Sequence, residues 1–188
     1  MTTEKQWYTI DNIDELDSPA LVVFPDRVKK NIATAIKMIG DVHRLRPHIK
    51  TNKSMEATSL MMAAGITKFK CATIAEAELL GRCNAPDVVL AYQPTGPKIN
   101  RFVSVIKKFK GTRYACLADN PEAAKAMAEI FDSHGMQVPV YLDINLGMNR
   151  TGIAPEKAAA LYSNCTALKG IIPVGLHAYD GHIRDLDF

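Results

Sequence analysis

From one end to the other, this chain alternates short β-rich runs with segments of helix length, and that alternation leaves few folds open to it. The runs occupy residues 20–24, 43–50, 68–73, 87–92, 113–118, 138–145 and 174–179. Between them, residues 26–39, 54–64, 74–82, 96–109, 120–134 and 155–162 carry apolar side chains at helical spacing. Asn120 before Pro121 and Glu122 is a helix start, and Gly65 and Gly135 stand where helices stop. Strand and helix in strict alternation mean a parallel sheet with crossover helices, either a barrel or an open doubly wound sheet. The glycine fingerprints of nucleotide folds, G-x-G-x-x-G and G-x-x-x-x-G-K, are both missing, which favours the barrel. A closed eightfold barrel typically takes about 250 residues, whereas this chain has 188. The expectation is therefore an α/β fold, a (β/α)8 TIM-type barrel that is incomplete, with about six of the eight barrel strands. The chain stops at Leu186-Asp187-Phe188, on what reads as the approach to another helix.

Composition narrows the function. With 47% apolar and 23% charged residues the chain has the proportions of a soluble globular protein. A net charge of +3, with the basic residues scattered, gives no support to nucleic-acid or membrane-surface binding. Residues 1–17 lack the basic start and apolar core of a signal peptide, and no apolar run reaches the roughly 18 residues of a membrane span, so a cytoplasmic location is expected. Cys71, Cys83, Cys116 and Cys165 are widely spaced, with neither a C-x-x-C pair nor a zinc-like histidine spacing, and read as reduced structural thiols.

The residues that carry chemistry sit where β-rich runs give way to loop. In Arg46-Pro47-His48-Ile49-Lys50-Thr51-Asn52-Lys53, Pro47 pushes Arg46 toward extended backbone, and alternation turns His48 and Lys50 to one face and Ile49 to the other. Lys50 then stands at the carboxyl end of a strand, where barrel active sites are built and where a Schiff-base lysine belongs. Such a lysine must be partly deprotonated, which neighbouring positive charge promotes, and Lys53 and Arg46 are candidates for supplying it. The alternative is an ordinary solvated lysine. Further along, Asp143 and Asn145 share a face opposite Leu142 and Ile144, and Arg150 follows that strand after a glycine turn. His177 and Tyr179 share a face of the last run. His182 lies three residues beyond Tyr179 across Gly181, placed either as a general acid or base or as a plain loop residue. The spacing of His177 and His182 matches no zinc motif, and no metal ligands are assigned.

Four segments, taken together, carry a resemblance: Asp17-Ser18-Pro19-Ala20-Leu21-Val22-Val23, the run from Arg46 to Lys53, Gly147-Met148-Asn149-Arg150-Thr151-Gly152, and Gly175-Leu176-His177-Ala178-Tyr179-Asp180-Gly181-His182. In these the chain resembles the amino-terminal part of fold-type III pyridoxal-phosphate enzymes, in the branch of D-threonine aldolase and D-serine dehydratase, and more distantly the alanine racemase N-terminal domain. One departure is Asn52, where the family usually has histidine. The resemblance implies pyridoxal 5'-phosphate as cofactor, joined to Lys50 as a Schiff base. It implies cofactor binding by His48, Arg150, Tyr179 and Asn145, with Arg150 at the phenolic oxygen or the substrate carboxylate and Tyr179 packed near the pyridine ring. For His48 and Asn145 the alternative is hydrogen-bonded support of the barrel interior. Catalytic roles fall to Lys50 and His182. Residues 1–24 are expected to pair with a missing carboxy-terminal β domain, and residues 25–188 to form a partial pyridoxal-phosphate-binding barrel. The implied activity is a lyase acting on small D-amino acids, with a homodimeric full-length parent and a possible divalent metal whose ligands lie beyond Phe188. A racemase, a non-catalytic pyridoxal-phosphate carrier and an inactive truncated fragment are the alternatives.

Overall fold

A computed structural model describes residues 6–184, so the expected approach to a further helix at residues 186–188 lies outside the described residues. The order of elements is α1 (Pro25–Ile39), α2 (Met55–Ala63), β1 (Lys68–Cys71), α3 (Ile74–Arg82), β2 (Asp87–Leu90), α4 (Pro97–Lys108), β3 (Arg113–Ala118), α5 (Pro121–Ser133), β4 (Val138–Ile144), α6 (Ala158–Thr166) and β5 (Ile171–Ala178). Local chemistry sets the helix starts. Proline opens α1, α4 and α5, where its missing N–H costs nothing. Ser54 Oγ accepts the Ala57 N–H at 3.0 Å to cap α2, Thr73 Oγ1 accepts the Glu76 N–H at 3.1 Å to cap α3, and Asn120 Oδ1 takes two N–H groups of α5. Among the described residues no helix is long and apolar enough to cross a membrane.

Among the described residues the five strands are parallel and lie in the order β1-β2-β3-β4-β5. Alternation divides each strand between two cores. Phe69, Val88, Leu90, Cys116, Val140 and Leu142 point outward into the layer of helices, while Val89, Ala115 and Leu117 form a separate inner cluster with Ala91 and Tyr141 packed on it. The sheet is not flat. Lys70 Nζ on β1 lies 2.8 Å from His177 Nε2 on β5, although these are the two outer strands. In a flat sheet, with strands about 4.8 Å apart, the outer two would be about 19 Å from each other. Only a sheet curled into a barrel wall lets them touch, which decides between the barrel and the open sheet.

The strand expected at residues 43–50 is reduced to a fragment. Short 3-10 turns at Val42–Arg44 and Ile49–Thr51 flank an extended stretch that meets β1 through a single parallel bridge, His48 with Lys70, and one hydrogen bond of 2.9 Å from the Lys70 N–H to the Pro47 carbonyl. Pro47 has no N–H to give a ladder, and the His48 side chain turns the backbone by accepting from Lys50 N–H. The stretch 20–24 joins no ladder; it runs extended into α1, with Leu21 91% exposed. Trp7 packs edge-on against Phe24 and beneath the Arg27 guanidinium, which holds this amino-terminal segment on α1.

The last strand starts at Ile171, earlier than the expected 174, and takes in Pro173. Its register with β4 slips once: Val140 is opposite Pro173, but Tyr141 is opposite Gly175. Val174 is thus an extra residue, a bulge that reverses the alternation of β5. Before it, Ile171 faces the helices; after it, His177 faces the barrel interior opposite Asp143.

Candidate active site

A cleft of about 750 Å³ opens at the carboxyl ends of the strands, lined by His48, Lys50, Lys70, Gln93, Lys98, Arg101, Asp119, Asp143, Arg150, His177 and Tyr179 among others. Four of the residues singled out from the sequence, Lys50, His48, Arg150 and Tyr179, come together here from segments far apart in the chain.

Lys50 is carried by the 3-10 turn Ile49–Thr51, anchored by fully buried Ile49 on one side and presenting an exposed lysine on the other. The backbone N–H of Lys50 donates to His48 Nδ1 at 3.1 Å. An imidazole nitrogen that accepts must be unprotonated, so neutral His48 carries its proton on Nε2. Burial, followed by the charges of Lys50 and Lys70, pushes the His48 pKa down to about 4, which keeps it neutral at pH 7. Lys53 adopts the left-handed backbone conformation, φ 46°, and its ammonium pairs with Glu76 on α3. Glu76 is 4% exposed and also accepts the Ala72 N–H at 2.7 Å. Burial alone would raise its carboxyl pKa, but the bonds from Lys53 and Ala72 outweigh it and hold the pKa below the usual range. Among the described residues no carboxylate pairs with Lys50.

The expected positive neighbours of Lys50 need correcting. Arg46 is turned to the opposite end of the strands, where it pairs with Asp87 and donates to the Phe69 carbonyl at 3.2 Å, and Lys53 is neutralised by Glu76. The cation that shares the cleft floor is Lys70, one strand over from His48.

On the facing wall, Asp143 Oδ1 lies 2.6 Å from His177 Nδ1, and His177 Nε2 lies 2.8 Å from Lys70 Nζ. Asp143 is 4% exposed. The Lys70 pKa is lowered by burial first and by the charges of Lys50 and Arg150, against an upward pull from Asp143. The Tyr179 ring carries Arg150 at 5.0 Å and Lys70 at 5.7 Å. Arg150 is placed by its loop: the Gly152 N–H donates to Asp119 Oδ2 at 3.0 Å, and Gln93 Nε2 holds the other Asp119 oxygen at 2.9 Å.

Two expected site residues stand elsewhere. Asn145 does not line this cleft; its Oδ1 accepts the N–H groups of Gly147 and Asn149 at 3.0 and 3.1 Å and so shapes the loop that presents Arg150. His182 also lies off the cleft lining, with Nε2 beside Gly147 and a buried Nδ1 that meets no partner among the described residues. Lys70 was not singled out from the sequence. The signal was its alternation with outward Phe69 and Cys71, which turns Lys70 inward. The four cysteines are free, and no group of three or more His, Cys, Asp or Glu side chains gathers to hold a metal among the described residues.

A curled parallel β/α sheet with a lysine-bearing polar cleft at its carboxyl rim defines the class: part of a β/α barrel with its candidate site where barrel active sites are built. Residues 23–187 match the model for the alanine racemase N-terminal domain, and the chain belongs to that family. It is 26% identical over 175 residues to the D-threo-3-hydroxyaspartate dehydratase of Delftia sp. (strain HT23), covering 93% of this chain and 43% of the relative. Among solved structures, the D-threonine aldolase from Filomicrobium marinum superposes with a TM-score of 0.82 at 25% identity, over 90% of this chain and 46% of that one. The Delftia sp. HT23 dehydratase superposes with a TM-score of 0.69 at 25% identity, over 84% of this chain and 43% of that one. The chain therefore spans less than half the length of each of these relatives.

Proposed function

We propose that this chain is the barrel part of a pyridoxal-phosphate-dependent lyase acting on D-amino acids that carry a β-hydroxyl, of the D-threonine aldolase or D-serine dehydratase type. The observation that carries the reading is Lys50: it sits on the cleft floor with no carboxylate partner among the described residues, while the neighbouring Lys53 is held by Glu76. The side chains fit the cofactor. Lys50 supplies an amine for its aldehyde carbon, Arg150 a guanidinium fork for an oxygen anion, Tyr179 an aromatic face, and His48 an N–H on Nε2. The cleft volume falls within the roughly 300–1,000 Å³ usual for small-molecule sites. Pyridoxal phosphate, when bound, supplies the electron sink for bond breaking at the substrate's α-carbon. The chain's own residues then orient the substrate and move its protons.

The relatives support the substrate class, since one is named for D-threonine and the other for D-threo-3-hydroxyaspartate. We assign the exposed stretch 20–24 to pairing with a β domain supplied by further chain, as the resemblance implies. The test is borohydride reduction of the full-length protein with pyridoxal phosphate, followed by peptide mapping and assays on both enantiomers of threonine and serine. The cofactor should be fixed on the Lys50 peptide, and only the D-enantiomers should be consumed. Fixation on Lys53 or Lys70, or turnover of the L-enantiomers, would overturn the reading.

A further inference from the structure

We propose that Asp143, His177 and Lys70 form a proton relay that ends in the cleft, with Lys70 Nζ the group that moves the proton on the substrate's β-oxygen. The inference rests on the lyase reading and goes beyond it, because Lys70 is a second amine in the cleft, separate from the one that holds the cofactor.

The relay is built by the curl of the sheet. His177 sits opposite Asp143 in the register of β4 and β5, and its Nδ1 faces that carboxylate at 2.6 Å. Its Nε2 faces Lys70 Nζ, brought round from the far edge of the sheet, at 2.8 Å. With Nδ1–H donated to Asp143, Nε2 is the acceptor for Lys70. One proton can occupy either end of that last bond. On Lys70 it makes an ammonium beside a neutral imidazole. On His177 it makes an imidazolium, held by the Asp143 carboxylate, beside a free amine. Moving it across this 2.8 Å hydrogen bond thus converts Lys70 from acid to base with no change in the charge of the group as a whole.

The titratable groups facing Lys70 from the surrounding elements are His48 and Lys50 from the preceding segment, Asp143 from β4, Arg150 from its loop, and His177 and Tyr179 at the end of β5. Two of these are cations, and Lys70 is half-buried, so its ammonium form is disfavoured and the single carboxylate opposes the effect through His177. In carbon–carbon cleavage the free amine takes the β-hydroxyl proton. The O–H pair stays on oxygen and becomes the new carbonyl bond as the Cα–Cβ bond breaks, that bond's electrons going to the α-carbon. In dehydration, once a base has taken the α-proton, the pair left on the α-carbon forms the Cα–Cβ double bond as the ammonium gives its proton to the departing hydroxyl, which leaves as water with the C–O pair. Either way Lys70 and His177 together end one proton richer or poorer, and exchange with solvent at the mouth of the cleft restores them.

Two measurements on the full-length protein test this. The first needs no cofactor: trace reductive methylation at a series of pH values, read lysine by lysine by mass spectrometry. Lys70 should label with a midpoint below those of exposed Lys29 and Lys125. Asp143→Asn, by removing an opposite charge, should raise the Lys70 rate at pH 8 by about tenfold. The second compares Lys70→Met with Lys70→Arg. Both should still capture cofactor on Lys50, and both should lose at least about 100-fold in turnover, because arginine keeps the charge but cannot release its proton. A Lys70 midpoint equal to that of Lys29 and unmoved by Asp143→Asn would overturn the relay, as would full turnover by Lys70→Arg. If the wild-type protein consumes no D-amino acid the lyase reading fails, and the methylation profile still decides the relay.

Discussion

Replacing Glu76 by glutamine tests how the Lys50 turn is held. Glu76 is nearly isosteric with glutamine and 4% exposed, so the change keeps the packing and removes only the charge. Two donors converge on the carboxylate: the Ala72 N–H at 2.7 Å and the Lys53 ammonium. A charge-assisted bond is roughly twice as strong as a neutral one, so the Ala72 bond should weaken by about 1 kcal/mol. Lys53 is 59% exposed, which limits its share to about 0.5–1 kcal/mol. The expected loss is about 1.5–2 kcal/mol, or about 4–7 °C in Tm for a chain of this size. Lys53→Met should cost only the smaller part. The pH dependence carries a sign: Glu76 is depressed in the fold, so its contribution is complete above the ordinary carboxylate range and is lost as pH falls through its lowered pKa. Thermal unfolding of wild type and Glu76→Gln should therefore differ at pH 7 and converge in acid. A gap that does not narrow as pH falls below the ordinary carboxylate range, or a Lys53→Met loss as large as that of Glu76→Gln, would refute the assignment of the stability to the buried carboxylate.

His48 makes acid destabilising in a higher window: its pKa is about 4 in the fold and about 6.5 unfolded, so stability should fall as pH drops between these values, by about 1–2 kcal/mol after solvent screening. Urea titrations of wild type and His48→Asn, which keeps an acceptor for the Lys50 N–H but does not titrate, should separate at pH 4.5 and coincide at pH 7.5. Gly152 has φ 96°, and a Cβ there would lie 2.6 Å from the Asn145 nitrogen. Gly152→Ala should cost about 1–3 kcal/mol in urea denaturation and weaken cofactor capture by displacing the Arg150 loop. Of the four free thiols, three are buried and Cys83 is partly exposed, so a thiol reagent should modify one per native chain promptly, and Cys83→Ser should remove that phase.

Much of the fold was legible because its signals are local. The Asn120 cap with Pro121 in the first turn of α5, and the inward and outward alternation at the end of β4, are readable from neighbouring residues. The place of Lys50 in the cleft could be read from the point where its β-rich run gives way to loop. Long-range effects were less visible. Residues 43–50 have a strand's composition, but Pro47 withholds a donor and His48 diverts another. Asn145 has the inward parity of a ligand contact, yet its short amide reaches the loop backbone first. Lys70 resembles an ordinary strand lysine until closure of the wall sets it against His177.

The extra residue in β5 has a consequence for how such a site can change. Because Val174 is the residue without a partner, deleting it would close the ladder one to one: Gly175 would follow Pro173 and still meet Tyr141, Leu176 would still meet Leu142 on the outer face, and His177 would still meet Asp143. The same slack would absorb the loss of Gly175 or Leu176, with Val174 drawn into the ladder. The bulge is thus a reserve of one residue: this strand can lose a codon between Pro173 and His177 and keep its imidazole at the carboxylate, whereas a strand in strict register would turn it to the other face.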